Sequence, residues 1–171
     1  MHTALADRLP RGVWRVDPDS SQINFRARTL FVLPVNGFFE RFSGALEVHA
    51  DGTTTGSVVV ATATIRTGIA PRDQHLRSAE FFNVAQHPEM TFTIKSLAPG
   101  DGGLELEGTL QIRDRSLPLR FPLTAIQHDE HLHLEARIRI DYAAAGLRWA
   151  RPGIVGPTAR ADVALTLRPA E

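Results

Sequence analysis

The chain has 171 residues, no cysteine, and 19 basic residues balanced by 19 acidic ones. This length favours one domain, 1–171, with a hydrophobic core of its own. The lack of cysteine excludes disulfides, thiolate nucleophiles and cysteine-ligated metal centres, and the zero net charge argues against a general binder of nucleic acid.

The N-terminal segment, MHTALADRLPRGVW, has no basic start followed by an apolar run, and no later stretch approaches about 18 apolar residues. We therefore expect a soluble, cytoplasmic protein without stable membrane insertion.

The first half of the chain alternates apolar and polar residues, which is the period of a strand with one buried face. The inward sets predicted here are Ile23, Phe25 and Ala27; Phe42, Leu46 and Val48; and Val59, Ala61, Ala63 and Ile65.

The segment PRDQHLRSAEFF, 71–82, breaks this period and predicts one short helix, because Pro71 suits a first helical turn and Asp73 and Arg77 are four residues apart. Two interpretations stay open. In one, Leu76, Phe81 and Phe82 face a lumen while Arg72, Asp73 and His75 form a polar rim. In the other, the helix is a plug and Asp73–Arg77 is an exposed ion pair.

The second half alternates more regularly and predicts antiparallel hairpins. Its predicted inward sets are Leu104, Leu106, Leu110 and Ile112; Leu117, Leu119, Phe121 and Leu123; Leu132, Leu134, Ala136, Ile138 and Ile140; and Val163, Leu165 and Leu167. About eight strands result, enough for a barrel that is either filled by side chains or hollow enough for one small ligand. The stretch 142–150 breaks the pattern, as a helix or an irregular end of a strand.

Catalytic and metal sites have weak support. Asp73, His75 and Ser78 are close in sequence, but they point in different directions on a helix, and no Gly-x-Ser-x-Gly is present. His131 and His133 share a strand face near His128, which is compatible with zinc but also with an ordinary solvated turn. Haem ligation by His75 or His87 has no supporting spacing. We expect no enzyme, no metal and no cofactor.

Four stretches together resemble the YceI-like family over about residues 14–168. They are WRVDPDSSQINF (14–25), GFFERFSGALEV (37–48), TGIAPRDQHLRSAEFFNVAQHPEMTF (67–92) and EGTLQIRDRSLPLRFPL (107–123). The third is the most specific, because its R-D-x-H-L-x-S-x-x-F-F run is followed by His-Pro before a strand.

The resemblance implies an antiparallel, lipocalin-like β-barrel that binds, stores or transports a long isoprenoid lipid, such as a polyprenyl phosphate or a quinone. Transient membrane contact and a homodimer are further expectations from it. The residues expected to contact the ligand are Arg72, Asp73, His75, Leu76, Phe81, Phe82, Phe25, Phe38, Phe42 and Phe92. The alternative is a barrel with a filled core that serves as an interaction or stress-related module.

Overall fold

The computed structural model describes residues 2–5, 8–28, 34–141, 144–146 and 158–170. Within these ranges the chain forms twelve strands, one α-helix and two short 3-10 turns, so the prediction of an all-β fold with one short helix is confirmed. The strands are β1 His2–Leu5, β2 Gly12–Val16, β3 Gln22–Arg28, β4 Pro34–Phe39, β5 Phe42–Val48, β6 Thr54–Ala61, β7 Ile65–Arg66, β8 Glu89–Gly100, β9 Gly103–Ile112, β10 Arg115–His128, β11 His131–Asp141 and β12 Thr158–Pro169; the helix, α1, is Ala70–Arg77.

Eight of the strands close into an antiparallel barrel, in the order β2-β5-β6-β8-β9-β10-β11-β12 and back to β2. The other four extend its wall. β3 takes over from β2 along the edge of β12, β4 pairs with β3, β7 pairs with β4, and β1 pairs with the end of β10.

Alternation places the apolar side chains inside the barrel, and the sets predicted for β9, β10, β11 and β12 are buried or half-buried as expected. The set predicted around β6 is wrong for Val59, Ala61 and Ala63, although Ile65 is buried as expected. Val58 and Val60 line the interior instead, and Ala63 is exposed. The run of three valines fits either face, and the 3-10 turn at Thr62–Thr64 ends the strand period before Ile65, which is fully buried.

The two ends of the barrel differ. At the end that we call the turn end, short turns join β5 to β6, β8 to β9 and β10 to β11. There the core is continuous, with Trp14, Val48, Leu104 and Leu132 all at 5 % exposure or less. The opposite end, which we call the helix end, carries α1.

Hydrogen bonds between side chains of α1 and residues 63–67, which precede the helix, fix α1 to the barrel. The buried Asp73 carboxylate accepts from the backbone N–H of Thr67 (2.9 Å) and from its hydroxyl, and Arg72 donates to the hydroxyl (2.9 Å) and carbonyl (3.1 Å) of Thr67. Arg77 donates to the carbonyl oxygens of Ala63 and Ile65. The predicted Asp73–Arg77 ion pair is therefore wrong, because each side chain is already engaged with the turn before the helix.

Arg113 connects three segments at the helix end. It lies in the β9–β10 turn with φ of 52°, and its guanidinium donates to the carbonyl oxygens of Phe81 (3.1 Å) and Gly146 (3.2 Å). Of the stretch 142–150, for which the sequence left helix or irregular strand open, only 144–146 is described, as a turn; the rest lies outside the described residues. No helix in the described part of the chain is long and apolar enough to cross a membrane.

Candidate functional site

The barrel encloses a cavity of about 150 Å³. Every strand of the closed circuit contributes to its wall. The lining residues are Val16, Ile23, Ala45, Leu46, Ser57, Val58, Val60, Met90, Phe92, Ile94, Leu106, Leu110, Leu119, Phe121, Leu123, Leu134, Ala136, Ile138, Ile140, Ala161, Val163, Leu165 and Leu167.

The wall of this cavity is apolar. Among the described residues that line it, none is charged, and Ser57 is the one with a polar side chain. Apolar cavities of this size stay dry and accept apolar guests, because water inside would lack hydrogen-bond partners.

Glycines do not create this space. An added Cβ at Gly108 would lie 2.4 Å from the Phe92 ring, so this ring already fills the position where a side chain would stand. The room comes instead from Ala136 and Ala161, which face inward on adjacent strands between larger neighbours.

A cluster of phenylalanines lies at the helix end of the barrel. Phe25 packs against Phe39 (ring centroids 6.0 Å apart), Phe39 against Phe82 (5.9 Å) and Phe82 against Phe81 (4.8 Å). Phe25 is the register partner of the lining residue Ala161. The cluster thus joins the cavity wall to the turn that follows α1.

The barrel wall has a gap in its hydrogen bonding between β10 and β11. Pairing of these strands runs from His128↔His131 to Leu123↔Ala136 and stops, although β10 continues to Arg115 and β11 to Asp141. We call this unpaired stretch, 115–122 facing 137–141, the seam. No backbone pairing among the described residues crosses it.

Two prolines explain the seam. Pro118 and Pro122 have no backbone N–H. In a strand, residues an even number of positions apart direct their N–H groups to the same edge, so both missing donors belong to one edge of β10. Pairing of β10 with β9 continues without interruption past both prolines, so the edge that lacks donors is the one facing β11. Ile138 and Ile140 line the cavity directly behind the seam.

The structure separates the residues predicted to bind a ligand. Of the ten, Phe92 lines the cavity; Phe25, Phe81 and Phe82 belong to the phenylalanine cluster; and Leu76 and Phe42 are buried in the core beside them. Phe38 lies on the outer surface with 45 % exposure.

The three polar residues of the predicted rim lie together in α1 but face different partners. Arg72 and Asp73 hold Thr67, as described above, and His75 Nδ1 lies 3.5 Å from a carboxylate oxygen of Glu80. Their contact with a ligand stays a prediction.

None of the ten residues predicted to contact a ligand lies on the inward faces of β10, β11 and β12, which supply eleven of the lining residues. The alternation showed which side chains point inward, but not whether they meet across the barrel. The two prolines, spaced four apart in an otherwise regular strand, were the readable signal for the seam.

The histidines of the β10–β11 turn have separate partners. Arg168 contacts His131 Nε2 at 2.8 Å, His133 Nε2 lies 3.0 Å from Glu135, and His128 lies 3.5 Å from Asp129. The described residues contain no group of three side chains arranged to hold a metal ion.

Three carboxylates carry lowered pKa values, and for Asp51 the main cause is the hydrogen bond from the Thr53 side chain. The hydrogen bond from Arg168 is the main cause that lowers the pKa of Asp17, and the hydrogen bond from Arg120, followed by the charge of Lys95, lowers the pKa of Glu107. Asp17 and Arg168 join the β2–β3 connection to the last strand, so this charge pair ties the turn end together.

Comparison with known structures gives the same architecture. The chain superimposes on BcnA of Burkholderia cenocepacia with a TM-score of 0.80 at 18 % identity, covering 88 % of this chain and 98 % of that one. It superimposes on a polyisoprenoid binding domain from Saccharophagus degradans, implicated in plant cell wall breakdown, with a TM-score of 0.74 at 18 % identity, covering 92 % and 98 %.

Sequence comparison is consistent with this. Protein YceI of Salmonella newport (strain SL254) is 31 % identical over 110 residues, which is 62 % of this chain and 58 % of the relative. The match thus spans less than two thirds of the curated relative's length. The YceI-like domain matches residues 14–168, nearly the whole barrel from Trp14 in β2 to Arg168 in β12. The chain therefore belongs to the YceI-like family.

Proposed function

We propose that the barrel binds the hydrocarbon chain of a long isoprenoid lipid in its lumen and acts as a carrier or store without catalysis. The apolar, uncharged cavity wall is the observation that carries this proposal. The polyisoprenoid binding domain of Saccharophagus degradans, which has the same fold, supports the choice of lipid class.

The size of the cavity restricts how such a chain is held. About 150 Å³ accommodates a short piece of hydrocarbon, comparable to a single small apolar guest. A long chain therefore occupies the lumen with one segment, and the remainder needs an exit or an expansion of the barrel. The unbranched Met90 side chain in the wall is the most adaptable of the lining groups.

The seam is the exit that we assign to the chain. It requires no broken strand pairing, because β10 and β11 are unpaired along this stretch. A chain that enters sideways also avoids the turn end, where the core is continuous, and the helix end, where the phenylalanine cluster lies. Transfer from a membrane then moves the chain from one apolar environment to another, so the free energy of transfer is close to zero.

The experiment is native mass spectrometry of the purified protein, followed by organic extraction and identification of the extracted lipid. An added mass that extracts as an isoprenoid supports the proposal. A mass equal to that of the bare chain, with no uptake from vesicles that contain polyprenyl phosphate or quinone, favours the filled barrel that the sequence left as the alternative.

The polar rim at α1 is tested separately. Substitution of Arg72 or Asp73 also removes hydrogen bonds to Thr67, so a lower lipid content has two explanations there. His75→Gln is cleaner, because it leaves in place the hydrogen bonds that Arg72 and Asp73 make with Thr67. A lower lipid content in this variant, with unchanged thermal stability, supports a ligand contact at the rim.

A further inference from the structure

The outer face of the barrel beside the seam carries a row of arginines in direct register. Arg139 of β11 is the partner of Arg160 in β12, and Arg160 is the partner of Arg26 in β3. We call these three residues the arginine row. Asn36 of β4 continues the row as the partner of Arg26.

Like charges on directly opposed strand positions destabilise a sheet, so such a row needs compensation. Asp162 provides some of it. Its Oδ2 accepts from Arg160 Nε at 3.2 Å, while its Oδ1 lies 3.4 Å from Arg137 Nε yet accepts no hydrogen bond. One carboxylate thus serves two arginines.

The remaining guanidinium groups have no carboxylate partner. Arg26 donates its Nε to the amide oxygen of Asn36 (3.1 Å), which is neutral, and the ion pairs found in the described part of the chain include neither Arg26 nor Arg139. Counted with Arg137 and Asp162, the patch carries a net charge of plus three. Its unused N–H groups point away from the lumen, on the outer side of the sheet.

The row borders a real concavity. An open depression of about 400 Å³ is lined by Asn24, Arg26, Asn36, Phe38, Arg160 and Asp162, together with Phe25 and Gly37. Guanidinium forks in such a depression match phosphate oxygens, which they bind in pairs. Neighbouring strands are about 4.8 Å apart, so the row spans about 10 Å, which fits one or two phosphate groups and not a polymer backbone.

We propose that this outer-face depression is a binding site for a phosphate or diphosphate group, held by Arg26 and Arg160 of its lining and by Arg139, the register partner of Arg160, at its border. The group has two conceivable sources: a free inorganic anion, or the head group of a lipid whose chain passes through the seam next to Arg139. The site itself does not depend on the function proposed above; only the second source does.

The first test is isothermal titration of the full chain with inorganic pyrophosphate at low ionic strength. We expect saturable binding that weakens with added salt and becomes about tenfold weaker in Arg26→Gln and in Arg139→Gln. Lys95→Gln is the matched control. It removes one positive charge from an exposed position of β8, outside the seam and the arginine row, where Lys95 pairs with Glu107.

The second test repeats the titration with dodecyl phosphate, in the wild type and in Ala136→Phe, which narrows the lumen. Tighter binding than inorganic phosphate, weakened by both Arg26→Gln and Ala136→Phe, assigns the site to a lipid head group. If dodecyl phosphate binds no more tightly than inorganic phosphate, and Ala136→Phe does not change its affinity, the site is assigned to a free anion. No saturable binding of pyrophosphate by the folded wild type, or an equal loss of affinity in Lys95→Gln, overturns the site and leaves the chain-binding proposal standing.

Discussion

Filling the lumen should abolish chain binding while leaving the barrel folded, and Ala136→Phe is the substitution that tests this. Ala136 faces the cavity at the foot of the seam, opposite Leu123 in register. An empty cavity of about 150 Å³ destabilises a protein by roughly 3.6 kcal/mol at ~24 cal/mol per Å³. A phenyl ring removes part of this cost, and tighter packing adds ~1–3 kcal/mol. We therefore expect the free energy of unfolding to change by less than ~2 kcal/mol.

The effect on the ligand should be far larger. The ring takes the place of about four methylene groups of a bound chain, and at ~0.8 kcal/mol each this weakens binding by ~3 kcal/mol, more than about 100-fold in Kd. Chemical denaturation measures the first quantity, and uptake of a fluorescent isoprenoid analogue measures the second.

Ala164→Phe is the matched control, because Ala164 lies on β12 with the opposite parity to the lining residues Val163 and Leu165. It should leave uptake unchanged. If folded Ala136→Phe retains the lipid with wild-type affinity, the lumen is not the binding site and the reasoning from the cavity fails.

Three further predictions follow from the same contacts. Replacing Pro118 and Pro122 by Thr restores two backbone donors to the edge of β10, so we expect slower lipid uptake and greater amide protection in β11. Unchanged uptake despite that protection would exclude the seam as the entrance. Asp73→Ala leaves the two Thr67 donors without their acceptor and should cost about 2–4 kcal/mol, seen as a lower denaturant midpoint; a change under about 0.5 kcal/mol would contradict the bracing role of this carboxylate. Because the folded-state pKa of Asp17 is lowered, its contribution to stability is present above about pH 4 and disappears as the pH falls through the folded-state value; urea titrations should show Asp17→Asn below the wild type at pH 7 and equal to it near pH 2, and a constant difference across this range would refute the linkage.

The fold was predictable because alternation is strong in the strands that close the barrel. In β9 and β10 nearly every second residue is a leucine, isoleucine or phenylalanine, so one register alone buries them. The inward face of β6 was mispredicted for the opposite reason, since three consecutive valines leave both faces apolar. Ile65 is buried, but the 3-10 turn before it interrupts the alternation, so its parity does not extend back to β6.

The site was less predictable, because a cavity is a property of side chains that meet across the barrel. The phenylalanines attracted attention as large apolar groups, yet Phe25, Phe81 and Phe82 pack on one another and on the helix segment. The space lies where alanines stand, and an alanine in a strand does not reveal which residues oppose it. The arginine row was equally hard to predict from the sequence, because Arg26 and Arg160 become neighbours only through the pairing of β3 with β12.

The unpaired edge of β10 also bears on strand-to-strand pairing with other polypeptides. An exposed strand edge with free N–H groups is a template for a foreign strand, and this is a common start of aggregation. Pro118 and Pro122 remove donors from that edge at two points, so an incoming strand would find its ladder interrupted. A hydrocarbon chain needs no hydrogen bonds and is not hindered by their absence. The same two prolines would therefore keep the side of the barrel open to lipid and closed to another polypeptide.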